Sequence, residues 1–176
     1  YHTGTWEWDG TNWAQISPAG SSPPARRVHA MVYDGTQSGI ILFGGRASSG
    51  GTYGDMWRWD GVNWAVAAPT TTPSHRGYHS MVWDESRQRV VLFGGWTSSG
   101  NQSLSDTWQW DGVTWTKCTQ TVKPDARYSF GMVYDDASGR THMFGGWSGT
   151  STLGDVWDFH NPNLATVEGY GYRNTC

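Results

Sequence analysis

The chain has 176 residues, with 12 lysines and arginines against 15 acids and a formal net charge of −3. That balance contains no basic run, so the electrostatic footprint of a nucleic-acid binder is missing, and no apolar stretch approaches the length of a membrane span. Charged residues are only 15% of the chain and lysine occurs just at Lys117 and Lys123, while Gly, Ser, Thr and Trp abound, a profile that predicts an extracellular or secreted protein.

In chain order, the first feature is "GTWEWDGTNWAQIS", two short alternating runs around an Asp-Gly. The string Trp-Asp-Gly-x-x-Trp then returns from Trp59 to Trp64 and from Trp110 to Trp115, each copy 51 residues after the last. Three glycine pairs, Gly44-Gly45, Gly94-Gly95 and Gly145-Gly146, are spaced by 50 and 51 residues. An Asp-x-Trp follows each pair: Asp55 to Trp57, Asp106 to Trp108, and Asp155 to Trp157. Ahead of each pair stands a related segment: "RRVHAMVYD", "RGYHSMVWD" and "ARYSFGMVYD". Four landmarks sharing one period define a repeat, which governs every later inference.

Each unit reads as four strands. "HAMVYD" and "HSMVWD" are apolar or aromatic runs ending at Asp in a turn signal; "GIILFGG", "RVVLFGG" and "RTHMFGG" form a second run closed by glycines. "DMWRWDG" alternates, so Trp57 and Trp59 share a face while Arg58 points away. Asp60-Gly61 and Asp111-Gly112 are expected to be the two central residues of hairpin turns leading into a fourth strand. No apolar period of 3.6 persists for ten residues, so the chain is expected to be all-β, built of four-stranded antiparallel sheets.

This pattern resembles the kelch repeat, whose fold is a β-propeller with one four-stranded blade per repeat. The resemblance covers about Trp6 to Phe159 and rests on Arg26/His29, Arg76/His79, the glycine pairs, and Trp59 and Trp110 before the Asp-Gly turns. The third unit departs: Phe130 stands where His is expected, and "DFHNPN" replaces the Asp-Gly hairpin. The tail "ATVEGYGYRNTC" is similar to segments that follow such repeats in large secreted bacterial proteins. The kelch enzymes of the galactose oxidase type need copper and a tyrosine–cysteine crosslink, and no residue here matches them. The resemblance therefore implies a non-catalytic interaction module without cofactor or metal.

The expected layout is an incomplete blade with linker over residues 1–25, holding only third and fourth strands, then blades at 26–72, 73–123 and 124–168 and a tail at 169–176. "LATVEGY" is the expected last strand of the third blade. Propellers close with roughly four to eight blades. Three and a half are expected to need completion by another propeller segment or chain, a homodimer of two halves being one way, and not to act as an isolated monomer. An open arc would leave apolar sheet faces in water, the mark of an interface.

Recurrence separates framework from candidate contact residues. Arg26, Arg76 and Arg127, with His29 and His79, recur with the blade and are expected to make hydrogen bonds near the inner strand. Asp55, Asp106 and Asp155 are expected to accept loop N–H groups. Trp57, Trp59, Trp108, Trp110 and Trp157 are expected core. Position 46/96/147 instead varies, carrying Arg46, Trp96 and Trp147. The connections from strand two to three and from blade to blade are the long ones and should emerge on one face, where Arg46, Tyr53, Trp96, Asn101 and Trp147 are candidate binding residues. A protein partner is one reading of that face and a glycan stacked on its indoles is another; a further alternative is that the chain is the propeller part of a larger secreted enzyme. Cys118 and Cys176 could staple the tail to the rim, stay unpaired, or leave Cys176 bonded beyond the chain.

Overall fold

A computed structural model describes residues 3–160. Strand β1 (Thr5–Trp8) pairs with β2 (Trp13–Ile16) as a hairpin. The first four-stranded sheet follows, with β3 (Ala30–Asp34), β4 (Gly39–Phe43), β5 (Met56–Trp59) and β6 (Trp64–Ala67) in that spatial order. The second begins with β7 (Ser80–Asp84) and β8 (Arg89–Phe93). Its long loop folds into the short pair β9 (Trp96–Thr97) and β10 (Gln102–Ser103) around a 3₁₀ turn at Ser99–Asn101. The sheet is completed by β11 (Thr107–Trp110) and β12 (Trp115–Lys117). The third sheet comprises β13 (Gly131–Asp135), β14 (Arg140–Phe144) and β15 (Val156–His160). Its expected fourth strand, "LATVEGY", lies outside the described residues, as does Cys176. Buried Cys118 sits one residue past β12 and donates its N–H to Thr107 O at 2.9 Å.

The core lies between sheets because alternation along each strand gives every sheet two apolar faces. Leu42, Trp57, Trp59 and Trp64 pack toward the β1–β2 hairpin and meet Ile16. Ile41, Phe43 and Met56 face the other way and meet Met81, Val90, Leu92, Trp108, Trp110 and Trp115 of the second sheet. The indoles also reach across: Trp64 donates to Thr5 Oγ1 at 2.7 Å, Trp110 to Asp34 Oδ2 at 3.0 Å, and Trp115 to Met56 Sδ at 3.4 Å. The triads Trp57/Trp59/Trp64 and Trp108/Trp110/Trp115 are thus each directed at the preceding sheet. Trp157, expected as core, is half-buried, unlike its counterparts Trp57 and Trp108.

The Asp-Gly turns differ from expectation by one residue. Only Gly10, Gly61 and Gly112 have positive φ (97°, 98° and 95°). The preceding Asp stays at the strand end, and its carboxylate accepts two N–H groups; Asp60 Oδ1 takes those of Val62 and Asn63 at 2.8 and 2.7 Å. The aspartate is favoured as an acceptor rather than as a left-handed residue.

Left-handed backbone does appear at Val28, Tyr78 and Ser129, equivalent positions before the innermost strands, with φ of 52°, 60° and 56°. Tyr78 N donates to Val28 O at 2.8 Å and Ser129 N to Tyr78 O at 3.0 Å, so this strained residue of each unit is bonded to that of its neighbour.

Replacing a buried member of the triads should expose how much the sheet-to-sheet packing contributes. Trp108→Ala is expected to cost about 3–5 kcal/mol in a denaturant titration, the range for truncating a buried aromatic. A loss below about 1 kcal/mol would show that the indole is not core.

Candidate functional site

Each long-loop end is organised by a buried arginine. Arg26 reaches both oxygens of Asp55 at 2.7 Å and Gly44 O at 2.8 Å. Arg76 makes the same contacts to Asp106 (2.7 and 2.9 Å) and Gly94 O (3.0 Å), and Arg127 to Asp155 (2.6 and 2.7 Å) and Gly145 O (3.0 Å). In each unit the same carboxylate accepts the indole N–H two residues on, Trp57 at 2.7 Å, Trp108 at 2.7 Å and Trp157 at 2.5 Å, because residues i and i+2 share a strand face. The aspartates therefore hold a guanidinium and an indole, not the loop N–H groups expected from sequence. Burial works to raise the Asp55 and Asp106 carboxyls, but hydrogen bonds and charge from Arg26 and Arg76 overcome it and hold both below the ordinary 3.8. Hydrogen bonds from Arg127 pull Asp155 down likewise.

The glycine pairs let this cluster grip the next unit. Gly45 N donates to Arg76 O at 2.7 Å and Gly95 N to Arg127 O at 2.9 Å. A Cβ on Gly44 would stand 2.4 Å from Arg76 O, and one on Gly94 would stand 2.7 Å from Arg127 O, so any side chain there would push the units apart.

His79 is wedged into that junction and does not make the hydrogen bond expected of it. Neither ring nitrogen of His79 has a partner among the described residues, nor has His29 Nδ1. The His79 ring instead meets Phe43 of the preceding sheet edge-on, with centroids 5.7 Å apart. Phe130 fills the equivalent slot against Phe93 at 5.6 Å, which explains why Phe can replace His in the third unit. Burial, with the nearby Arg76 charge, pushes the His79 pKa down from 6.5 to about 3. Burial and Arg26 lower that of His29 as well.

The long loops do come together on one face. Backbone bridges join Arg27 with Arg46, Gly77 with Trp96, and Tyr128 with Trp147, tying each blade-to-blade segment to the loop between the second and third strands. Arg46, Trp96 and Trp147, all half-exposed, therefore occupy the same place in successive units. The Arg46 guanidinium lies 4.6 Å above the Trp96 ring, close enough for a cation–π contact. Tyr53 is held beneath Arg26 at 4.2 Å, and Asn101 is exposed on the 3₁₀ turn. Tyr78 and Tyr128 meet at a tilt of 51°, with ring centroids 5.6 Å apart, a pair that sequence reasoning missed. Tyr78 stands where the other units have Val28 and Ser129, and Tyr128 where they have Arg27 and Gly77, so variation within the repeat, the signal used for Trp96, could have found them. A second missed cluster joins Thr52, Ser98 and His75, with the Thr52 hydroxyl 2.5 Å from His75 Nδ1 and 2.9 Å from Ser98 Oγ.

A family model described as the KLHDC2/KLHL20/DRC7 Kelch-repeats domain matches residues 4–166. Comparison with curated proteins gives no match.

The His79 slot yields a pH prediction. An imidazole depressed from 6.5 to about 3 binds fewer protons in the folded chain than in the unfolded one. Its contribution is complete above pH 6.5 and is lost as pH falls toward 3, with a slope of up to about 1.4 kcal/mol per pH unit. His79→Phe, copying Phe130, should flatten stability between pH 6.5 and 4 in chemical denaturation; an unchanged slope would show that His79 is not the group responsible.

Proposed function

The chain belongs to the kelch-repeat family, and from that premise we propose that it is a non-catalytic protein-interaction module. It works outside the cell, presents its long-loop face to a partner, and forms part of a ring completed by another propeller segment. One observation carries the contact surface: an invariant backbone bridge presents Arg46, Trp96 and Trp147 at equivalent positions, so a constant frame displays varied chemistry. Aromatic and arginine side chains are those enriched at protein interfaces. The recurring arginines and aspartates are engaged with one another. The low charge and scarce lysine support the extracellular setting.

Completion of the ring is supported by the exposed ends of the stack. Trp6, Trp8 and Trp13, counterparts of the buried Trp57, Trp59 and Trp64, are 54%, 52% and 63% exposed. At the other end Val133, Phe144 and Val156 are 60%, 60% and 66% exposed, whereas their counterparts Val82, Phe43 and Met56 are buried.

Affinity capture tests the face. The intact chain should recover a reproducible set of proteins that Arg46→Ala/Trp147→Ala loses and that Val62→Ala/Val113→Ala, on the opposite turns, retains. Equal recovery by both variants would remove the face from the interaction. Glycan-array binding that depends on Trp147 would replace the protein reading with a carbohydrate one.

Sedimentation velocity tests the ring. The isolated chain should self-associate or precipitate. A monodisperse monomer with a cooperative melt would overturn ring completion while leaving the face untouched.

A further inference from the structure

On the side opposite the long loops, a groove of about 320 Å³ runs along the seam between the first and second four-stranded sheets. Its walls include Arg58, Ile41, Met56, Pro69, Trp110 and Val113. That volume falls within the roughly 300–1,000 Å³ of small-molecule sites, which pair apolar walls with a few directed polar groups. Both flanking sheets have all four strands, so the groove owes nothing to either end of the chain.

The groove exists because successive seams are filled differently. Between the second and third sheets, Arg87 pairs with Asp84 and lies 4.2 Å over the Phe159 ring. One repeat earlier Gln37 takes the place of Arg87 and donates its amide to Gly112 O instead, which leaves the space beside Trp110 open. Asp34 is satisfied there without a cation. Thr36 donates its N–H and O–H to Oδ1 at 3.0 and 2.6 Å, and the Trp110 indole donates to Oδ2 at 3.0 Å.

The opposite wall supplies a cation that has no counter-ion. Ion pairs among the described residues engage Arg26, Arg76, Arg87, Arg127 and Arg140, but not the half-buried Arg58. Arg58 Nη2 donates to Gln37 O, Nε is buried without an acceptor, and Nη1 makes no hydrogen bond among those residues. Its charge reaches the exposed Asp60, as a minor cause beside the N–H groups of Asn63 and Val62 in lowering that carboxyl. Gly39 seats the guanidinium: a Cβ there would stand 3.0 Å from Arg58 Nε and 2.8 Å from Trp59 O. A partly buried guanidinium with open donors calls for an anion, and a planar carboxylate matches its fork.

We propose that this groove binds a short aliphatic carboxylate, its head on Arg58 and its chain against Met56, Pro69 and Trp110. Asp34 sets the orientation, because its buried charge at the Trp110 end disfavours a second carboxylate there. Gln109 stands at the Arg58 position of the next sheet, which confines the site to the first seam. The site is independent of the long-loop face.

Hexanoate is the probe. Calorimetric titration into the intact chain should show saturable one-to-one binding, and Tm should rise as hexanoate is added. Hexanol and hexylamine, which keep the aliphatic chain but lose or invert the charge, should bind at least tenfold more weakly. Arg58→Gln, which copies Gln109, should weaken hexanoate binding at least tenfold, and Arg58→Lys should restore part of the loss. Ala68→Phe, at the exposed mouth of the groove, should block binding while leaving the guanidinium in place. Equal affinity for hexanol would reduce the groove to an apolar crevice and overturn the site. Absence of saturable binding, or binding indifferent to either Arg58→Gln or Ala68→Phe, would overturn it as well.

Discussion

The architecture depends on a guanidinium buried where strand, loop and neighbouring unit converge. Arg76 alone touches Asp106, Gly94 O and Ser74, while its own carbonyl accepts the N–H of Gly45 in the preceding unit. A fully buried arginine is tolerable only when its donors are engaged, so the carboxylate, the tight glycine backbone and the facing unit become mutually obligatory. The carboxylate is in turn fixed by the indole two residues on, which packs onto the preceding sheet. Each lock thus links the two faces of its sheet, and the long loops are anchored on three such points.

From this frame follows the division between constant and variable positions. Loops pinned at the Gly-Gly and Asp ends can differ in between without disturbing the stack, as the β9–β10 excursion of the second unit shows. Arg46, Trp96 and Trp147 sit one residue beyond the pinned glycines, where backbone position is inherited but side-chain choice is free. The third unit shows how substitutions are absorbed. Where Trp110 donates to Asp34, the corresponding Phe159 cannot donate to Asp84; Arg87 satisfies Asp84 at 2.5 Å and lays its guanidinium 4.2 Å over the Phe159 ring.

The repeat made the sheets legible, because residues one period apart meet the same environment and reinforce one another's pattern. Strand identity, alternation of Trp57 and Trp59, and the shared long-loop face could all be read this way. What escaped was the identity of partners. Recurrence of His79 signals a constant role, yet not whether that role is a hydrogen bond or a ring wedged against Phe43, since an imidazole can serve either. The Asp-Gly pair signals a turn, but whether Asp60 adopts left-handed backbone or captures two N–H groups is decided by local competition. Contacts on the candidate face, such as Arg46 over Trp96, join different units and depend on their angular offset, which spacing along the chain does not encode.

The left-handed residues Val28, Tyr78 and Ser129 have a consequence for how the molecule opens. Each holds a conformation unfavourable to its own side chain, with Val28 the most constrained through its branched Cβ. The hydrogen bonds between them are its visible compensation, and they form only when adjacent units are already docked. An undocked unit therefore carries the strain without the reward, which sharpens the penalty for partial assembly. Such coupling makes a linear array behave less like independent beads and more like a zipper, with opening confined to its ends.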